Sequence, residues 1–170
     1  MASAPPEPLT LATVKDYLRI PAADTVEDSK VEAMIPRSRL WVEEHTGIAL
    51  VQREFSELVT PRSGVVRLSR EPLIAVVSVD YTDGGGAASV FVPVATPPST
   101  KLSGSWPATS GGTPFAVKYT AGLAAGSEDP RLLGAMLALI DGEYSAGFAY
   151  PPEAVTAAQN CLFYLKFVAP

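Results

Sequence analysis

One cysteine and one histidine are all that this 170-residue chain holds of the two side chains most often recruited to metals and to nucleophilic catalysis. With Cys161 alone, no intrachain disulfide can form, which excludes a small secreted disulfide scaffold. With His45 alone, any Ser-His-Asp set would have to use that residue. The two together are too few for an ordinary structural zinc site. No apolar run approaches the ~18 residues of a membrane span, and the longest, Leu132–Ile140, is far shorter. The opening MASAPPEP lacks a cationic region followed by an apolar one, so a signal peptide is not expected. Basic residues are also scarce. Thirteen Lys and Arg against 18 Asp and Glu give a formal charge of −5 and a pI near 4.9. That excludes broad phosphate neutralisation as a way of binding nucleic acid. It leaves room for a protein that lines a DNA passage, where retention would be a fault. Ordinary solubility charge explains the balance as well.

What is present is a globular composition, 47% apolar, punctuated by 13 Gly and 16 Pro. The length fits one domain that buries roughly 70% of its unfolded surface without staples. The chain divides into a mobile arm over 1–8, a helical part over 9–47, a β-rich part over 48–120 and a second helical part over 129–170. The expected class is α+β: an N-terminal helical pair and C-terminal helices packed with a small antiparallel β unit in the middle.

Thr10 is set to cap a first helix carrying Leu11, Val14 and Leu18, which Pro21 should end. Thr25 or Asp24 should cap a second, with Glu27 and Asp28 in its first turn, where the helix dipole favours negative charge. Val31, Met34, Ile35, Trp41, Val42 and His45 outline its apolar face. Pro36 predicts a kink or break, and Gly47 a left-handed end. From Ile48 the period changes to two. Phe55, Glu57 and Val59 alternate with Ser56, Leu58 and Thr60. Val65–Leu68, Ile74–Tyr81, Ser89–Val92, Thr100–Leu102 and Phe115–Thr120 read as further strands, for five or six in all. Asp83-Gly84-Gly85-Gly86 reads as a hairpin turn, and Pro93–Trp106 as largely irregular. Asp129 with Pro130 should open a helix apolar nearly all round, and therefore buried. A last helix is expected from Glu153 towards Phe167.

No catalytic constellation emerges. His45 lies beside Glu43 and Glu44 at a helix C-terminus, where a cationic imidazole is favourable for electrostatic reasons alone. Asp80, Asp83, Glu54 and Glu57 could pair as glycosidase carboxylates, but acidic residues at turns and strand ends are routine. The spacing of Asp80 and Asp83 is not that of an EF-hand. Gly84–Gly86 and Gly111-Gly112 lack the Lys-Ser/Thr of a phosphate loop. Ser103-Gly104-Ser105-Trp106 is not a nucleophile elbow. Neither a cofactor nor a metal is expected. The C-terminus is less ordinary. Leu162, Phe163, Tyr164, Phe167 and Val168 make it apolar almost to the last residue, where chain ends usually fray. Such a tail either folds back on its own domain or docks in a neighbour, and its aromatics have the composition of an interface hot spot.

Three stretches in order resemble one family. The first holds Leu9-Thr10-Leu11, Leu18-Arg19-Ile20, Glu27-Asp28 and Glu43-Glu44-His45-Thr46-Gly47-Ile48-Ala49-Leu50. The second runs from Arg67-Leu68-Ser69-Arg70-Glu71-Pro72-Leu73 into Val76–Gly84. The third joins Val117-Lys118-Tyr119-Thr120-Ala121-Gly122 to Asp129-Pro130-Arg131-Leu132-Leu133. Each is weak alone; in order and spacing they resemble the head-to-tail connector (adaptor) proteins of long-tailed bacteriophages and gene transfer agents. The resemblance implies a non-enzymatic virion protein at the head-tail junction, assembled in the host cytoplasm. It implies a homo-oligomeric ring, usually of twelve, beneath the portal protein. Such a ring extends the DNA channel without reading DNA sequence and offers a platform to a stopper, neck or tail protein, with no membrane partner. It also gives the apolar tail a target, since family members reach the portal with C-terminal segments. The chain departs from the family at Pro36 and in the longer helical tail after Glu143-Tyr144-Ser145-Ala146-Gly147. The alternatives are another neck or tail-completion protein, or a carbohydrate-binding or adhesion module with Trp106, Tyr81 and Tyr119 as its stacking surface.

Overall fold

The computed structural model describes residues 6–147, 150–163 and 165. Its helices and antiparallel sheets make an α+β protein, as expected. The chain forms two compact units, one from Met1–Thr46 with Ala124–Pro170 and one from Gly47–Leu123.

The first unit is helical. Helix α1 spans Leu11–Tyr17, and Thr10 caps it by accepting a hydrogen bond from the Thr13 amide at 3.1 Å. Pro21 does not end this helix. Arg19 adopts a left-handed φ of 59°, and the amides of Arg19 and Ile20 return to the carbonyls of Asp16 and Lys15 at 3.1 and 2.8 Å. That paired closure satisfies the last carbonyls, so the helix is already finished when the proline arrives.

Helix α2 spans Asp28–Thr46. It starts later than a cap at Thr25 or Asp24 would place it, because Asp24 Oδ1 instead accepts from the Val26 amide at 3.1 Å in a preceding turn. Asp28 is then the acidic residue of the first turn, and Glu27 falls just outside. Pro36 does not break the helix, which runs through it. The ring removes one backbone hydrogen bond, at a cost of about 3 kcal/mol. Against that, Val31, Met34, Ile35 and Val42 are buried on either side, and Arg37 Nε donates to the Ala33 carbonyl at 3.1 Å. Gly47, at φ 77°, terminates α2 as expected.

Helix α3 spans Pro130–Ala146. Asp129 caps it through the Arg131 amide at 2.8 Å, and Gly147 closes it in the left-handed region. Leu132, Ala135, Met136, Leu139 and Ile140 are buried along one face. Helix α4 spans Pro152–Leu162 and buries Ala154, Ala158 and Leu162 at four-residue spacing. The two helices cross closely at Gly142, where a Cβ would collide with the Ala154 methyl.

The second unit is β. Strands β1 (Arg53–Val59), β2 (Val65–Arg67), β3 (Leu73–Thr82), β4 (Ala88–Val90), β5 (Val94–Ala95), β6 (Lys101–Ser103) and β7 (Phe115–Ala121) form two antiparallel sheets. One has the order β1-β7-β3-β4, the other β2-β6-β5. Strand β5 lies inside the stretch that reads as irregular. Two residues between prolines leave no periodicity to detect, and only pairing with β6 defines them. In β1, Phe55, Glu57 and Val59 are half-buried while Glu54, Ser56 and Leu58 are exposed, which is the alternation of a one-sided strand. Asp83 builds the β3–β4 hairpin, its Oδ1 accepting from the Gly85 and Ala87 amides at 2.8 and 3.0 Å. The core holds Val66, Leu68, Leu73, Val79, Leu102, Phe115, Val117 and Tyr119. At Gly122 (φ 133°) the chain passes so close to Val51 that a Cβ would sit 2.5 Å from its carbonyl oxygen.

Candidate functional site

The polar residues singled out as candidates for chemistry are engaged in holding the fold. His45 Nδ1 lies 2.9 Å from the Trp41 carbonyl, and its ring stacks on Trp41 at 3.6 Å. Asp83 is spent on its own turn, and the Ala87 and Gly85 amides hold its pKa below the usual carboxylate range. Asp80 accepts from the Ser78 hydroxyl at 3.0 Å. Glu57 Oε1 accepts from the Ser69 amide at 3.1 Å, whereas Glu54 is exposed on the opposite side of β1. Those two carboxylates therefore do not face each other. Among the described residues, no three His, Cys, Asp or Glu side chains are grouped to hold a metal ion. Likewise, no described helix is long and apolar enough to cross a membrane.

The three aromatics of a stacking surface are not brought into one exposed row. Tyr119 is fully buried. Tyr81 is half-buried, 5.2 Å from Phe115. Trp106 is half-buried between Phe91 and Phe115, at 4.8 and 4.9 Å, and its Nε1 donates to the Gly64 carbonyl at 3.1 Å. Their rings fill the β core.

The apolar C-terminus is divided. Leu162 is buried in its own unit, and Phe163 is 57% exposed at the end of α4. Tyr164, Phe167 and Val168 lie outside the described residues.

Sequence reasoning missed a set of buried charges that fix the helical unit. Lys15 Nζ reaches Asp28 Oδ1 at 2.6 Å and the Asp24 carbonyl at 2.5 Å, joining α1 to the start of α2. Arg39 binds Glu7 at 2.7 and 3.2 Å and Glu43 at 3.2 Å. Burial alone would lower the Arg39 pKa, but the two carboxylates raise it. Arg37 reaches the buried Glu143 at 2.7 Å. Glu143 Oε2 and the Tyr150 hydroxyl are both buried without a hydrogen-bond partner in the protein. Burial first, then the Glu143 charge, push the Tyr150 pKa up to about 12. The available signal was Lys15 beside Val14, a cation on an otherwise apolar helix face.

No protein-family model matches the chain, and no curated protein sequence matches it. Solved structures do. A chain in the neck of an empty GTA particle computed with C6 symmetry superposes with a TM-score of 0.71 at 19% identity, over 94% of this chain and 92% of that one. The fold is that of a gene transfer agent neck chain. A chain of the native gene transfer agent virion gives 0.69 at 24% identity over 93% and 91%. One from the native GTA neck computed with C12 symmetry gives 0.61 at 22% over 94% and 91%. Because nearly all of each chain is matched, the neck-chain fold includes the helical unit and the β unit alike, and neither is an addition to it.

Proposed function

We propose that this chain is a head-tail connector, a non-enzymatic virion subunit that forms a ring under the portal protein, extends the DNA channel and joins head to tail. The observation that carries this reading is the full-length fold shared with a chain of a gene transfer agent neck. The motif order read from the sequence leads to the same family independently. A ring of twelve is favoured by the C12 and C6 symmetries of the necks that hold the similar chains. The formal charge of −5 suits a wall along which DNA slides, since an acidic surface gains nothing from counterion release. The apolar C-terminus is the docking element towards the portal. Phe163 begins it, Tyr164, Phe167 and Val168 continue it, and Leu162 anchors it to α4. A stopper or tail protein takes the opposite side of the ring.

Electron microscopy of particles made without this gene tests the reading. Separate filled or emptied heads and complete free tails are the expected result. Normally joined particles would refute it.

A further inference from the structure

Between Asp83 and Lys101 the chain has no charged residue at all. This segment carries one outer strand of each sheet: β4 is one edge of the four-stranded sheet and β5 one edge of the three-stranded one. From Ser89 to Ala95 its side chains alternate. Ser89, Phe91, Pro93 and Ala95 turn inward, and Phe91 packs on Phe115 and Trp106. Val90, Val92 and Val94 turn outward and are 67%, 85% and 64% exposed. Among the described residues, nothing else covers them.

Exposed edge strands are templates for pairing with another chain, and proteins ordinarily guard them with lysines or other charges. Here the guard is missing where the edge is most apolar. Interface cores have the same signature, with charge removed and apolar side chains presented in register. The opposite edge of the larger sheet, β1, is built differently: it carries Arg53, Glu54 and Glu57 and exposes Leu58. The two edges are thus not equivalent, as a head-to-tail contact that closes a ring requires.

We propose that the Val90–Val94 strip is an intersubunit surface, covered by a second copy of this chain. The inference rests on the ring reading above, because a ring gives every copy two identical neighbours and so supplies an occupant for each strip. The chains that share this fold over nearly their whole length come from necks computed with C6 and C12 symmetry.

A photo-crosslinking residue at Val92, introduced in cells that assemble particles, tests this directly. The side chain is 85% exposed, so the substitution leaves the fold intact. Purified particles are irradiated and the products identified by mass spectrometry, with the copy number of this chain quantified in the same sample. Crosslinks between two copies, in a chain present many times per particle, are the expected result. Crosslinks to a different protein, or none, at the same copy number would overturn the strip while leaving the ring reading standing. Absence of the chain from particles would overturn both. A second variant, V90K/V92K/V94K, restores the missing guard. Loss of the chain from particles with an unchanged thermal melt of the isolated protein is expected, and undiminished incorporation would contradict the proposal.

Discussion

The two units build their cores by different chemistry. Every buried charged side chain among the described residues, namely Lys15, Arg39, Glu43 and Glu143, belongs to the helical unit. The β unit buries aromatic and aliphatic groups instead, with Phe115 at the centre of contacts to Tyr81, Phe91 and Trp106. Apolar packing is non-directional and tolerates repacking, whereas removing one member of a buried ion pair strands the other. The helical unit is therefore specified by pairs and the β unit by volume.

Phe115→Ala should break the β side of this comparison most severely. Removing the ring from a 3% exposed site costs about 3–5 kcal/mol. Denaturant unfolding followed by tryptophan fluorescence at Trp106 reads it, and a loss below 1 kcal/mol would mean the aromatic cluster is not the keystone. On the helical side, Arg37→Ala leaves the Glu143 carboxylate buried without its cation, at about 3 kcal/mol. Pairing it with Glu143→Leu should recover most of that loss, since an apolar pair avoids the desolvation altogether. If the double variant is no better than the single, the pair is not what fixes that site.

The glycines sharpen the same contrast. Gly142→Ala meets only a methyl and a proline ring, and should cost about 1–3 kcal/mol. Ala154→Gly should relieve part of it. Gly122→Ala meets the Val51 backbone at a φ of 133°, so no side-chain change nearby should rescue it. Paired thermal melts of the two series distinguish these outcomes.

Much of this arrangement was legible in the sequence. Thr10, Asp129, Gly47 and the Asp83 turn were readable because each uses a local hydrogen bond or a local φ. The ends of α1 and the course of α2 were not. Arg19 closes a helix in a conformation usually given to glycine, and Pro36 is tolerated because of burial that lies elsewhere in the fold. Strand β5 has no period of its own. The ion pairs Lys15–Asp28, Arg39–Glu7 and Arg37–Glu143 span 13, 32 and over a hundred residues, so the period of no single helix connects them. The exposed valines resemble an ordinary strand until both sheets are assembled around them.

The smallest effects are electrostatic. Asp129, at the start of α3, has its pKa lowered to about 2 by hydrogen bonds from the Arg131 side chain and amide. Its contribution is present above the unfolded value of 3.8 and is lost as pH falls from there through about 2. Asp129→Asn should flatten the stability profile over that acid window, with its loss seen above pH 3.8, pH 7 included, and little difference from the parent below about 2. Tyr150 acts in the opposite direction. Its raised pKa means that the unfolded chain ionises first, so stability falls as pH rises from 10.0 to about 12. Tyr119 and Tyr144 are also raised and add to that alkaline slope, so Tyr150→Phe should reduce it rather than abolish it, and an unchanged slope would show that the hydroxyl is not buried beside Glu143.

The central claim is one of place, and a reconstruction of the particle neck tests it most directly. Cryo-electron microscopy focused on the head-tail junction, with symmetry imposed and then released, should show this fold repeated twelve times in a single ring beneath the portal. Finding the fold anywhere else in the particle, or the junction built without it, would contradict the account.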